Sequence, residues 1–250
     1  MDKSNPPVLY LGDTSLDTAA SYLGAVMKYF GIGFEYAASE EPADRYLGDC
    51  EYKLIILSDY PAGNFQAAQM EWILDRLSSG TGMLMIGGWD SFRGSGGLYN
   101  DTMIEEALPV HLSKTDDRVN YSFPCLVRKQ RDHEILADLP FANPPCIGGY
   151  NRVTAKDGAD VLLQAIRYRT RVEGSSCSFA EEGRDVLLAV GAYGRGRTAA
   201  FTSDVAPHWV GGFVDWGQQR VACEIAGTEV EVGEYYAAFF NRLIRWTARM

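Results

Sequence analysis

Short apolar runs alternate with segments in which apolar residues recur every three or four positions, and this rhythm organises the first hundred residues. Val8-Leu-Tyr-Leu-Gly12 is a continuous apolar run of the length that suits a strand buried on both faces. Leu16, Ala20, Leu23, Met27 and Phe30 then repeat at helical spacing, and Gly31 and Gly33 close that helix. Gly33 to Ala37 and Lys53 to Ser58 read as the second and third strands. Asn64 is placed to cap a helix that buries Met70, Ile73, Leu74 and Leu77 and stops at Gly80. Gly82-Met-Leu-Met-Ile-Gly-Gly88 is a further strand ending in a glycine turn, followed by Trp89-Asp-Ser-Phe-Arg-Gly94 and the pair Gly96-Gly97. Strand–helix alternation of this kind predicts an α/β fold: an open, mostly parallel sheet with helices on both faces.

Beyond Gly97 the pattern changes. Met103 to Leu108 reads as a short helix ended by Pro109. Residues 110–155 carry prolines at 124, 140, 144 and 145 and little periodicity, which predicts an irregular insertion within one domain spanning 1–250. Ala159 to Ala165 and Ile166 to Val172 read as strands. Asp185 to Val190 and Arg197 to Thr202 flank the glycine-rich turn Gly191 to Gly196, the signature of a hairpin. A final helix over 233–248 presents Tyr236, Phe239, Phe240, Leu243 and Ile244 to the sheet. The C-terminal part is thus a β-hairpin plus a helix.

The formal charge of −10, from 23 basic and 33 acidic residues, argues against nucleic acid or an anionic membrane as partner. Arg167, Arg169 and Arg171 alternate, which places them on one solvated strand face. No run approaches 18 consecutive apolar residues and Met1-Asp-Lys-Ser-Asn-Pro-Pro holds no apolar leader, so a cytoplasmic protein is expected. The five cysteines, at 50, 125, 146, 177 and 223, are scattered and the three histidines lie far apart, so no metal site and no cofactor is expected.

Four acids fall just past strands: Asp13, Asp59, Asp90 and Asp204. The carboxyl ends of parallel strands form the ligand crevice of such sheets, so these groups are candidates to converge there, with His208 and Trp209 on the same rim. The competing expectation is local: Asp13 caps the following helix, and Asp59, ahead of Tyr60-Pro61, serves a turn. Trp209 and Trp216 offer faces for stacking on a ring, or plug the core edge. The turn at 87–94 fits neither dinucleotide nor nucleotide phosphate motifs. Its backbone amides remain candidates to hold an anion.

Leu54-Ile-Ile-Leu-Ser-Asp-Tyr-Pro61, Thr81 to Gly97, Leu108-Pro109, Gly149-Tyr-Asn-Arg-Val153, Thr202-Ser-Asp204 and His208-Trp209 resemble the class I glutamine amidotransferase-like family. These are flavodoxin-like domains related to the trehalose-utilisation group. The resemblance implies a flavodoxin-like sheet over most of the chain. Class I amidotransferases use a cysteine on a Gly-x-Cys-x-Gly turn with a His-x-Glu pair. Here the matching turn is Gly87-Gly88-Trp89, and Val210 stands where the acidic partner of His208 would be.

Three functions compete. One is a non-glutaminase domain binding an unidentified small molecule through Gly87, Gly88, Trp89, Asp90, Ser91, Asp59, Ser203 and Trp209. Another is an acid–base hydrolase or isomerase with His208 and Asp204 as catalytic residues. The third is an interaction protein with a closed pocket, where 12% aromatic content and an edge hairpin favour a homo-oligomer.

Overall fold

A computed structural model describes residues 6–48 and 50–250. The chain runs β1 (Val8–Gly12), α1 (Ala20–Tyr29), β2 (Phe34–Ala37), β3 (Leu54–Ser58), α2 (Ala67–Ser79), β4 (Gly82–Ile86) and α3 (Met103–Ala107). It continues through β5 (Val110–His111), β6 (Arg118–Asn120), β7 (Cys125–Lys129), β8 (Gly149–Asn151) and β9 (Thr154–Ala155). Then come β10 (Asp160–Glu173), β11 (Ser176–Tyr193), β12 (Gly196–Phe201), α4 (Pro207–Val214), β13 (Arg220–Ile225), β14 (Thr228–Gly233) and α5 (Glu234–Ala248).

Eight strands form one sheet in the order β2-β1-β3-β4-β12-β11-β10-β7. The first five are parallel; β12-β11-β10-β7 are antiparallel. Because successive side chains of a strand point to opposite faces, the apolar runs divide between two cores. Tyr10, Leu54, Ile56, Leu84 and Ile86 pack on the face covered by α1 and α5, where Phe201, Phe213, Phe239 and Phe240 form an aromatic cluster. Leu9, Leu11, Ile55, Leu57, Met83 and Met85 pack on the opposite face with Ile73 and Leu77 of α2. The result is the predicted α/β sheet with helices on both faces.

Several local expectations are corrected. The region 110–155 is not wholly irregular: β7 pairs with β10 and forms the sheet's edge, and β8 pairs with β6. Ala159–Ala165 and Ile166–Val172 are one continuous strand, β10, interrupted only by bulges. Past its pairing with β7, β10 runs on with β11 as a two-stranded ribbon, and its arginines pair with Asp185, Glu182 and Glu173. Asn64 does not cap α2; its amide donates to the Ser39 carbonyl at 2.6 Å, and Gln66 precedes the helix with its N–H on the Gln69 side chain. The hairpin β13–β14 has no counterpart among the expected elements; it packs on α1 and α5 and supplies Val230 and Val232 to the core.

Candidate functional site

The parallel strands β1, β3, β4 and β12 end together, and the residues that follow bring three carboxylates within reach of one another, Asp13 and Asp204 buried and Asp59 half-buried. Gly12, with φ +116°, abuts the Ser58 carbonyl so closely that no Cβ fits, and the chain then turns through left-handed backbone at Asp13 and Thr14. That turn sends the Asp13 side chain inward, where it is 1% exposed and accepts the Tyr10 phenol hydrogen on Oδ2. Its Oδ1 has no hydrogen-bond partner, and the Ser58 hydroxyl lies near enough to favour the ionised form without completing a bond. Burial, and then the charges of Asp204 and Asp59, push the Asp13 carboxyl well above the usual range. Asp13 therefore does not cap α1: its side chain is committed to the interior, and Ala19 precedes that helix with no side-chain cap.

Asp59 follows β3 in left-handed backbone. Its Oδ1 accepts the Asp90 N–H at 2.8 Å, and its own N–H donates to Ser91 Oγ at 2.8 Å. This residue ties β3 to the loop after β4 and so acts across distant segments, beyond the local turn expected of it. Burial raises its carboxyl first and the Asp204 charge second, against the Asp90 N–H bond. Asp204 Oδ1 accepts the N–H groups of Val205 (2.6 Å) and Ala206 (3.2 Å). Burial raises it too, opposed by those two bonds and by His208. Asp90 sits at the margin, raised by partial burial and lowered by Arg118.

The glycine turn is held from below and from the side. Gly87 N–H donates to the carbonyls of Phe201 (2.8 Å) and Ser203 (2.9 Å). Gly88 N–H donates to Asn151 Oδ1 at 2.9 Å, and Asn151 Nδ2 donates back to the Gly88 carbonyl (3.0 Å) and to Asp117 Oδ1 (2.7 Å). Asp117 also accepts the N–H groups of Arg93 and Gly94. The two amides that looked available for an oxyanion are thus already occupied. Ser91 and Ser203 are likewise buried and bonded, Ser203 Oγ donating to the Gly149 carbonyl at 2.6 Å.

Trp89 is the outward group of the turn, 48% exposed. The Arg118 guanidinium lies 4.4 Å from its ring centroid, and the exposed His208 ring meets it edge-on at 6.2 Å. The loops after β4 and β12 therefore do meet. Trp209, by contrast, points inward: it is 1% exposed, donates from Nε1 to Asn120 Oδ1 at 2.9 Å and lies against Gly149, so it presents no face to a ligand. Trp216 is also buried, its indole N–H on the Asn143 carbonyl.

No cysteine stands in the turn. Cys125 is buried, which pushes its thiol up to about 12, and Cys146 packs against Gly212 of α4. Among the described residues no group of three or more His, Cys, Asp or Glu is arranged to hold a metal ion. Clefts of about 380–590 Å³ lie elsewhere on the described surface, lined by residues other than 87–91 and 203–209. The residues that sequence reasoning passed over are Tyr10, Asp117, Arg118 and Asn151. Only Asn151 carried a signal, inside the Gly149–Val153 motif.

Among solved structures the chain is similar to cytoplasmic protein STM3548 from Salmonella typhimurium, with TM-score 0.72 and 23% identity over 96% of this chain and 98% of that one. Cytoplasmic protein STM1381 from Salmonella typhimurium LT2 gives 0.71 and 24% over the same shares. A ThuA-like protein from Bacteroides uniformis matches at TM-score 0.51 and 12% identity, over 96% of this chain and 89% of that one. No curated protein matches the sequence. No helix among the described residues is long and apolar enough to cross a membrane. The family model described as "Putative glutamine amidotransferase" matches residues 12–228, and the chain belongs to that amidotransferase-like family.

Proposed function

We propose that residues 1–250 act as one amidotransferase-like domain that binds a small molecule over the strand ends without glutaminase chemistry. The observation that carries this reading is the contrast within the turn. The amides of Gly87 and Gly88 and the hydroxyls of Ser91 and Ser203 are occupied by internal partners, whereas Trp89 stands exposed between Arg118 and His208. A glutaminase needs a thiolate beside an imidazole and free amides for the oxyanion. This turn supplies an aromatic face, a guanidinium and an imidazole, which suit recognition of a flat or anionic ligand. The two Salmonella proteins are described as cytoplasmic, which supports the same compartment here.

A thermal-shift screen of metabolites tests the reading. A hit that stabilises the wild type is expected to lose its effect in Trp89→Ala and His208→Ala, with their unliganded melting temperatures unchanged. A screen in which no hit depends on Trp89 and His208, or ammonia release from glutamine by the wild type, overturns it. One arrangement favours a second reading, acid–base catalysis: the exposed His208 follows the buried Asp204 by four residues, near enough to help lower that carboxyl. Turnover of a hit, with a pH profile lost in His208→Ala, selects that reading.

A further inference from the structure

Positive charge concentrates at the amino end of the sheet, at the opposite end of β12 from Asp204. We infer that the cleft of about 460 Å³ lined by Arg197, Arg242, Arg245, Arg249, Trp246 and Glu134 binds a small phosphate-bearing anion. Its volume lies in the range of small-ligand sites.

Arg197, Arg242 and Arg245 are positioned by carbonyl groups, and among the described residues only Arg242 of the four arginines has a carboxylate within 4.0 Å. Arg197, at the start of β12, donates from Nη1 to the Trp246 carbonyl at 2.8 Å, with its guanidinium 4.6 Å from the Trp246 ring centroid. Arg245 donates from Nη2 to the Phe30 carbonyl at 3.1 Å and from Nε to Asn241 Oδ1 at 2.9 Å. Arg242 donates from Nη1 to the Ala137 carbonyl, and its one carboxylate neighbour, Asp138, is 4.0 Å away and almost fully exposed. Arg249 closes α5 in left-handed backbone. Among the described residues Arg197, Arg245 and Arg249 have no ion-pair partner within 4.0 Å.

A guanidinium carries five N–H donors in a fixed fork. Arg197 and Arg242 each use one on a carbonyl and Arg245 uses two of its own, so most of the donors remain open. The carbonyls at the end of α5 disfavour an anion. Arg197 already answers one of them, and its bond to Trp246 fixes the guanidinium in place. The remaining guanidiniums outnumber the single side-chain carboxylate of the lining, Glu134. A phosphate group, with three acceptor oxygens and up to two charges, can engage several forks at once. The chain's charge of −10 repels a long polyanion, while a small one feels mainly charges within a Debye length of about 8 Å.

The experiment is isothermal titration of the full chain with pyrophosphate, with citrate as the carboxylate control, in about 50 mM and about 300 mM salt. Saturable one-to-one binding of pyrophosphate, weaker at the higher salt, is expected. Arg249→Gln and the pair Arg242→Gln/Arg249→Gln should weaken it by about tenfold or more while leaving the unliganded melting temperature unchanged. Arg197→Lys, which keeps the charge but loses the fork, should also weaken it. Absence of saturable binding up to about 10 mM, affinity unmoved in Arg249→Gln, or tighter binding of citrate than of pyrophosphate overturns the inference.

Discussion

The buried carboxyls predict an inverted pH dependence of stability, and Asp59 allows its size to be worked out. Burial and the Asp204 charge push Asp59 from its ordinary 3.8 up to about 7. The folded protein therefore holds a proton that the unfolded chain releases at lower pH. Stability contributed by that proton is present below the ordinary value and is lost as pH rises to about 7. At about 1.4 kcal/mol per pKa unit a shift of about three units corresponds to at most about 4 kcal/mol. Asp59 is only partly buried at its surface, so solvent reduces this to about 2 kcal/mol. For a chain of this length that is about 4–8 °C of melting temperature. Asp204, raised to about 6, and Asp13 act with the same sign. Asp59→Asn keeps an oxygen to accept the Asp90 N–H but abolishes the titration. Melting curves of wild type and variant between about pH 5 and about pH 8 isolate the term, because the repulsion of a −10 chain and the titration of His133 are common to both. Only the part of the loss between about pH 5 and about 7 falls in that interval, so the variant should lose about 3–5 °C less than the wild type over it. Parallel curves, or a wild type that gains on the variant as pH rises, would refute the reasoning.

Two substitutions test the frame around the acids. Asn151→Ala leaves the Gly88 amide and Asp117 without their buried partner, so denaturant unfolding should register a loss of about 3 kcal/mol, with faster proteolysis within 87–97. Trp209→Ala empties a fully buried indole site and should cost about 3–5 kcal/mol in the same assay, whereas His208→Ala, one residue away and exposed, should stay within about 0.5 kcal/mol.

The parallel half of the sheet was legible because β1, β3 and β4 are buried on both faces, which writes them as unbroken apolar runs such as Leu54-Ile-Ile-Leu57. The same reading placed Asp13, Asp59 and Asp204 at one sheet edge, since that follows from strand polarity alone. What each carboxylate does there was not legible. Asp13 turns inward because Gly12 abuts the Ser58 carbonyl, a contact between segments about 46 positions apart that no local pattern encodes. Asn151 and Asp117 reach the turn from the proline-rich region, where β6 and β8, three residues each, are too short to show alternation. Of the ribbon, Ile166 to Val172 was read as a strand, but the first half of β11, Ser176 to Arg184, escaped because it is solvated on both faces and carries no burial signal. Trp209 and Trp216 look alike in sequence as exposed aromatics; both are buried, each with its indole N–H on a partner from 110–155.

The glycine pair itself yields the last test. A Cβ at Gly88 would fall well inside van der Waals contact with all three carboxyl atoms of Asp59, while a Cβ at Gly87 would meet the Thr202 carbonyl. Gly88→Ala must therefore either shift the turn, breaking the Asn151 bonds, or turn the Asp59 side chain outward. Outward rotation loses the Asp90 N–H bond but returns the carboxylate to water and to its ordinary titration. The second route costs less once Asp59 is ionised, so Gly88→Ala should destabilise by about 2–3 kcal/mol near pH 5 and by less near pH 8. In an Asp59→Asn background the shape conflict persists and the charge does not, so the cost should lose its pH dependence. A cost that is equal at both pH values and unchanged in that background would mean that the backbone yields instead, and that the glycine protects the Asn151 bonds and not the position of the carboxyl group.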